Sequence, residues 1–83
     1  MDASPDDSKE VIWNGVVVGL VHDVRGENWN FYGRWTPRES EECRAFLRSL
    51  SEGKELVIQV GRGMKGRIDE PPGDEIEWRL CGS

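Results

Sequence analysis

The chain predicts an α+β domain: a mainly antiparallel sheet of about five strands (β-β-β-α-β-β, with room for one extra short strand) and one helix packed on one face. Three observations lead to it. Asn14-Gly15 separates Val11-Ile12-Trp13 from the β-branched run Val16-Val17-Val18, and this dipeptide accepts the positive φ values of a two-residue hairpin turn. The stretch Trp29-Asn30-Phe31-Tyr32-Gly33-Arg34-Trp35 alternates as a strand does, sending Trp29, Phe31, Gly33 and Trp35 one way and Asn30, Tyr32 and Arg34 the other. Cys43, Phe46, Leu47 and Leu50 recur at the spacing of a single apolar helix stripe.

Residues 1–9 read as a disordered acidic tail and 10–83 as one domain. In the second strand Val16, Val18, Leu20, His22 and Val24 share one face and Val17, Gly19, Val21 and Asp23 the other. Both faces are rather apolar, which suggests a central strand. Arg25-Gly26-Glu27-Asn28 supplies a turn before the aromatic strand. Thr36, Pro37 and Glu39 then satisfy three helix-start rules: hydroxyl N-cap, proline at the first helical position and glutamate closing a capping box. Gly53 is placed to end that helix as a C′ residue. Leu56-Val57-Ile58-Gln59-Val60 forms the fourth strand and Ile76-Glu77-Trp78-Arg79-Leu80 the last, with Ile76, Trp78 and Leu80 on the core. Between them, Gly66-Arg67-Ile68-Asp69 is expected to pair with the last strand across a type II turn at Pro71-Pro72-Gly73-Asp74.

The succession Asn14-Gly15, Gly19, Trp29, then Gly33-Arg34-Trp35-Thr36-Pro37 and a helix resembles a group of small bacterial proteins of unassigned function that share a strand–Gly–strand–aromatic–Gly–x–aromatic–x–Pro pattern. The likeness runs from Val11 to Leu50. It implies an α+β domain and a bacterial origin, and it carries over no catalytic or binding residue.

Composition narrows the function. A formal charge of −5 over 83 residues disfavours nucleic acid and anionic membranes, which are bound through clustered Lys and Arg, and favours a basic partner. With neither a signal-peptide pattern nor an apolar run of spanning length, the expected location is cytoplasmic. Cys43 and Cys81 read as reduced thiols, although a bridge between them is geometrically open. His22 is the only histidine and lacks the spacing of a metal or catalytic site. Glu39, Glu41 and Glu42 are accounted for by the helix start, and Asp69, Glu70, Asp74, Glu75 and Glu77 read as a solvated rim around a turn. No catalytic residue, metal or cofactor is expected.

Two binding surfaces follow. One helix covers only one face of a sheet, so the other face should display Val17, Val21, Tyr32, Arg34, Val57 and Gln59 to a protein partner or a second copy. Tyr32 and Arg34 have the composition of interface anchors, and equally of ordinary sheet decoration. The acidic charge adds a narrower variant, an inhibitor or immunity-type protein that masks a basic toxin or nuclease. The alternative surface is the loop Gly61-Arg62-Gly63-Met64-Lys65-Gly66. It matches the dinucleotide fingerprint but leads toward Pro71-Pro72 instead of a helix, so that chemistry is set aside. Its Arg62, Gly63 and Lys65, with Arg67, could still hold an anion or single-stranded nucleic acid, against a plainer reading as a solvated hairpin connection.

Overall fold

The computed structural model describes residues 8–80. Within them the chain forms β1 (Lys9–Trp13), β2 (Val16–Glu27), β3 (Asn30–Pro37), α1 (Glu41–Ser51), β4 (Leu56–Val60), β5 (Met64–Ile68) and β6 (Glu75–Leu80). The strands close into an antiparallel barrel in the order β1-β2-β3-β6-β5-β4, with β4 returning to β1. This corrects the expected open sheet of about five strands with a helix on one face. Among the described residues the inside of the barrel is the core, and its outer face is not divided into a helix-covered and an uncovered side. Strand β1 begins at Lys9, the last residue assigned to the acidic tail, and residues 1–7 of that tail lie outside the described residues.

Two irregularities in β2 turn the sheet into a barrel. Val11 lies opposite Gly19 but Ile12 opposite Val17, leaving Val18 as an extra residue. Further along, His22 lies opposite Arg34 but Arg25 opposite Tyr32, so Asp23 and Val24 together face Gly33. Extra residues of this kind bend a strand and increase its twist, the device by which a sheet curls. Asp23 takes φ 55 at the second bulge. Opposite it, a Cβ on Gly33 would come within 2.6 Å of both the His22 carbonyl and Val21 Cγ2, so the strands can approach only because that residue is glycine.

The bulges also explain why period-two alternation fails in β2. Val18 and Val21, assigned to opposite faces, are both fully buried. The expected turn at Arg25 to Asn28 is instead strand up to Glu27, followed by a turn at Asn28-Trp29. Trp29 therefore leaves the core face assigned to it and stands 67% exposed. The Asn14-Gly15 hairpin forms as expected, with φ values of 54 and 79 between the paired residues Trp13 and Val16.

The helix starts four residues later than the capping box implies. Thr36 and Pro37 pair with Leu20 and Gly19 at the end of β3, and a proline is tolerated there because it terminates the strand. Ser40 caps α1 instead, its hydroxyl accepting from the Cys43 N–H at 3.1 Å. At the other end Gly53 takes φ 85. Its N–H donates to the Leu50 carbonyl at 3.0 Å and that of Lys54 to Ser49 at 3.2 Å, the paired bonds of a Schellman ending.

The helix stripe Cys43, Phe46 and Leu50 is buried as read, with Leu47 half-buried. Phe46 lies 5.7 Å from the Trp13 ring and 6.1 Å from that of Trp35, so α1 packs at the barrel end where β1 and β3 finish. A six-stranded barrel is narrow enough for side chains to fill. Val11, Val18, Val21, Trp35, Ile58, Val60, Ile68, Ile76 and Trp78 do so, with no buried charged or polar residue among the described residues.

Candidate functional site

Closure separates the residues assigned to one surface. Residues directly opposite on neighbouring strands share a face. Val17 and Gln59 lie on either side of Ile12, Lys65 lies opposite Gln59, and Val57 lies opposite Arg67. They line one wall of the barrel. Tyr32 lies between Arg25 and Glu77, and Arg34 between His22 and Glu75, on another wall. Val21 is inside. The six residues do not converge, and Val21 is removed from any contact surface.

The glycine loop becomes the short turn from Gly61 to Gly63, with Gly61 at φ 65, and it leads into β5 with no helix to hold a phosphate. Gln59 Nε2 donates to the Gly61 carbonyl at 3.3 Å. Arg62, Gly63, Lys65 and Arg67 are exposed. Lys65 and Arg67 share the outer face of β5, while Arg62 and Gly63 sit at the turn.

The site that sequence reasoning missed lies at the seam between β5 and β6. Among the described residues their ladder consists of Gly66 opposite Leu80 and Arg67 opposite Arg79, and toward the start of β6 it stops at Arg79. The type II turn expected at Pro72-Gly73 does not form, since Gly73 lacks the positive φ that turn requires. Residues 69–74 instead swing away from β6 and leave a groove of about 400 Å³. It is lined by five carboxylates (Glu55, Asp69, Glu70, Glu75 and Glu77) against two guanidiniums (Arg67 and Arg79), with Pro71, Pro72, Leu80 and Trp78 also contributing. The acidic residues around Pro71-Pro72 were a visible signal. What alternation does not reveal is that the two strands part between them.

The outer edge of β6 is open along this groove. On its other side β6 pairs with β3 without interruption from Asn30 opposite Arg79 to Arg34 opposite Glu75. The Leu80 N–H donates to Trp29 at 2.8 Å and the Trp35 N–H to Asp74 at 2.9 Å. Hydrogen-bonded pairs alternate in an antiparallel ladder, so the peptide groups of Ile76, Trp78 and Leu80 face β3 while those of Glu75, Glu77 and Arg79 face β5. Arg79 finds Arg67 there. Glu75 and Glu77 face the groove beyond the end of the ladder.

Trp78 is 1% exposed, and its indole Nε1–H has no hydrogen-bond partner. It is a buried donor beside an open seam, and an unmatched donor of this kind costs stability.

Other candidate chemistry is structural. His22 Nε2 and Thr36 Oγ1 are hydrogen-bonded at 3.2 Å across β2 and β3. Burial pushes the Cys43 thiol up, opposed by its hydrogen bond with the Arg38 backbone and by the charge of Arg44; a buried neutral thiol is a poor nucleophile. Cys81 lies outside the described residues. Among the described residues, no group of three or more His, Cys, Asp or Glu is placed to hold a metal ion, and no helix is long and apolar enough to cross a membrane.

The fold and site together define a small antiparallel barrel with a charged groove on its outer wall. No family model, curated protein or solved structure matches the chain, so its function is argued from its residues.

Proposed function

We propose that this domain is a non-catalytic protein-interaction module, binding another protein or a second copy of itself. The observation that carries the reading is Trp29. The chain has four tryptophans; Trp35 and Trp78 are buried and Trp13 packs against the core, whereas Trp29 stands 67% exposed at the tip of the β2–β3 hairpin. Leaving so large an apolar surface in water forfeits burial energy, and tryptophan is the residue type most enriched among interface hot spots. Val57, 55% exposed, adds apolar surface on a different wall. The charge of −5 supports a basic partner, the inhibitor-like variant of the same reading.

The test is capture by the tagged domain from a lysate of its source, comparing wild type with Trp29→Ala. A protein retained near one-to-one by wild type and released by Trp29→Ala, with unchanged circular dichroism, is the expected result. Sedimentation of the purified domain identifies the case in which the partner is a second copy. Equal retention by both proteins, or no association of either kind, overturns the reading.

The anion or single-stranded nucleic-acid alternative has one observation in its favour: Arg67 and Arg79 lie directly opposite each other, a like-charge pairing that an anion would relieve. Asp69, just past the end of β5, and Glu77 on β6 both line the adjoining groove and weaken that attraction. Salt-sensitive amide shifts around Arg62, Gly63, Lys65 and Arg67 on adding an oligonucleotide would support it.

A further inference from the structure

We infer that the open half of the β5–β6 seam receives an extended, lysine- or arginine-bearing peptide segment of the partner, which adds to the free edge of β6. This rests on the interaction-module reading and names the chemistry of what is bound. Three independent features converge on one groove. The main-chain groups of Glu75 and Glu77 face it beyond the last rung of the ladder, and an unpaired strand edge is a template for another strand. Five carboxylates line it against two guanidiniums, so a cationic segment is electrostatically complementary whereas an acidic one is repelled. Trp78, which also lines it, is 1% exposed and keeps an unpartnered indole N–H, a donor that a main-chain carbonyl of the incoming segment can satisfy.

The geometry limits the ligand. At about 400 Å³ the groove is at the small end of ligand pockets and suits a short stretch of extended chain. Main-chain bonds to Glu75 and Glu77 set the register. Basic side chains alternating along the segment then fall on the same outer face as the Glu75 and Glu77 carboxylates. A helical segment spends its main-chain donors internally beyond its first turn and does not present the alternating donors and acceptors that a strand edge takes. Trp29 is tied to this strand through its carbonyl, which accepts from the Leu80 N–H, so the exposed indole and the groove belong to adjoining parts of one surface.

The test uses the full chain and a blocked hexapeptide alternating Lys and Val, followed by amide and indole NMR. In the free protein, the amides of Glu75 and Glu77 are expected to exchange with solvent quickly and those of Ile76, Trp78 and Leu80 to be protected. On titration, saturable shifts at Glu75, Glu77 and the Trp78 indole N–H are expected, weakening with added salt. A Lys–Val peptide of equal charge with methylated lysine main-chain nitrogens, which lacks the donors directed at Glu75 and Glu77, should bind about tenfold more weakly, the loss of one or two hydrogen bonds. The double variant Glu75→Gln/Glu77→Gln should weaken the Lys–Val peptide about fivefold without altering the fold.

No saturable shift at the seam, equal binding of the N-methylated peptide, or tighter binding of a Glu–Val peptide each overturns the inference. If any of these occurs while captured partner still depends on Trp29, the seam is wrong and the interaction-module reading stands. Loss of Trp29-dependent capture instead removes that reading itself.

Discussion

The two edges of β6 follow different rules. Toward β3, its ladder is continuous and is extended at both ends by Leu80 to Trp29 and Asp74 to Trp35. Toward β5, among the described residues, it holds only at Gly66–Leu80 and Arg67–Arg79. One strand is thus fully laddered on one side and half free on the other, yet its inward residues Ile76 and Trp78 are equally buried along both. The difference teaches that the core closes this barrel and the hydrogen bonds follow. Apolar burial does not depend on which neighbour completes the ladder, so a seam can stay short where charged residues and prolines deflect the chain.

The harshest way to break that comparison is to remove the residue both edges share. Trp78 stacks on Phe31 from β3 at a ring separation of 6.0 Å, and its indole lies against Gly66 on β5. Trp78→Ala should cost about 3–5 kcal/mol, read as a large fall in the thermal midpoint or loss of the folded signal. A cost below about 1 kcal/mol would mean that the ladders, and not the core, hold the barrel.

Glycine substitutions distinguish the edges more finely. On the continuous side, a methyl at Gly33 meets the His22 carbonyl at 2.6 Å, a backbone atom held by the bulge; at Gly66 it meets chiefly the Trp78 ring. Gly33→Ala should therefore destabilise by about 1–3 kcal/mol and Gly66→Ala by at least as much, because the Trp78 indole it meets is fully buried and has no room to turn aside. Gly63→Ala enters open space and should stay within about 0.5 kcal/mol of wild type. Denaturant midpoints rank the three, and a Gly66→Ala protein close to wild type would show that the short seam yields where the continuous side does not.

The smallest effect concerns the helix that plugs the barrel. Because burial raises the Cys43 thiol in the folded state, its contribution to stability is complete below the ordinary thiol pKa of about 8.5. It is lost as pH rises through the higher folded value, since the unfolded chain ionises first. Stability between neutral and alkaline pH should fall slightly more for wild type than for Cys43→Ala, and alkylation of Cys43 at neutral pH should be slow. Equal slopes would indicate a thiol open to water.

Much of the local structure was legible. Asn14-Gly15 requires positive φ, the stripe Cys43, Phe46 and Leu50 requires a helix, and Gly53 suits its left-handed ending; the chain order of strands and helix followed from these. Thr36-Pro37-Arg38-Glu39 misled because a capping box and the end of a strand use the same residues, and pairing with Gly19 and Leu20 prevailed over local preference. The candidate site was less legible still. Its carboxylates could be counted in the sequence, but Glu55 and Glu77 lie far apart there, and nothing local announces that a ladder stops at Arg67.

Side-chain periodicity and turn chemistry are short-range properties, and in this chain they decide which segments are strands, where two turns fall and which face of α1 is apolar. Whether a sheet lies open or closes on itself depends on accumulated twist. Here that twist comes from an extra residue at Val18, another around Asp23, and the room left by Gly33. A bulge is invisible to a period-two count until its partner strand is known. The barrel, the burial of Val21, the exposure of Trp29 and the groove beside Trp78 therefore arise from long-range pairing, where the free energy of burying the core outweighs each local preference.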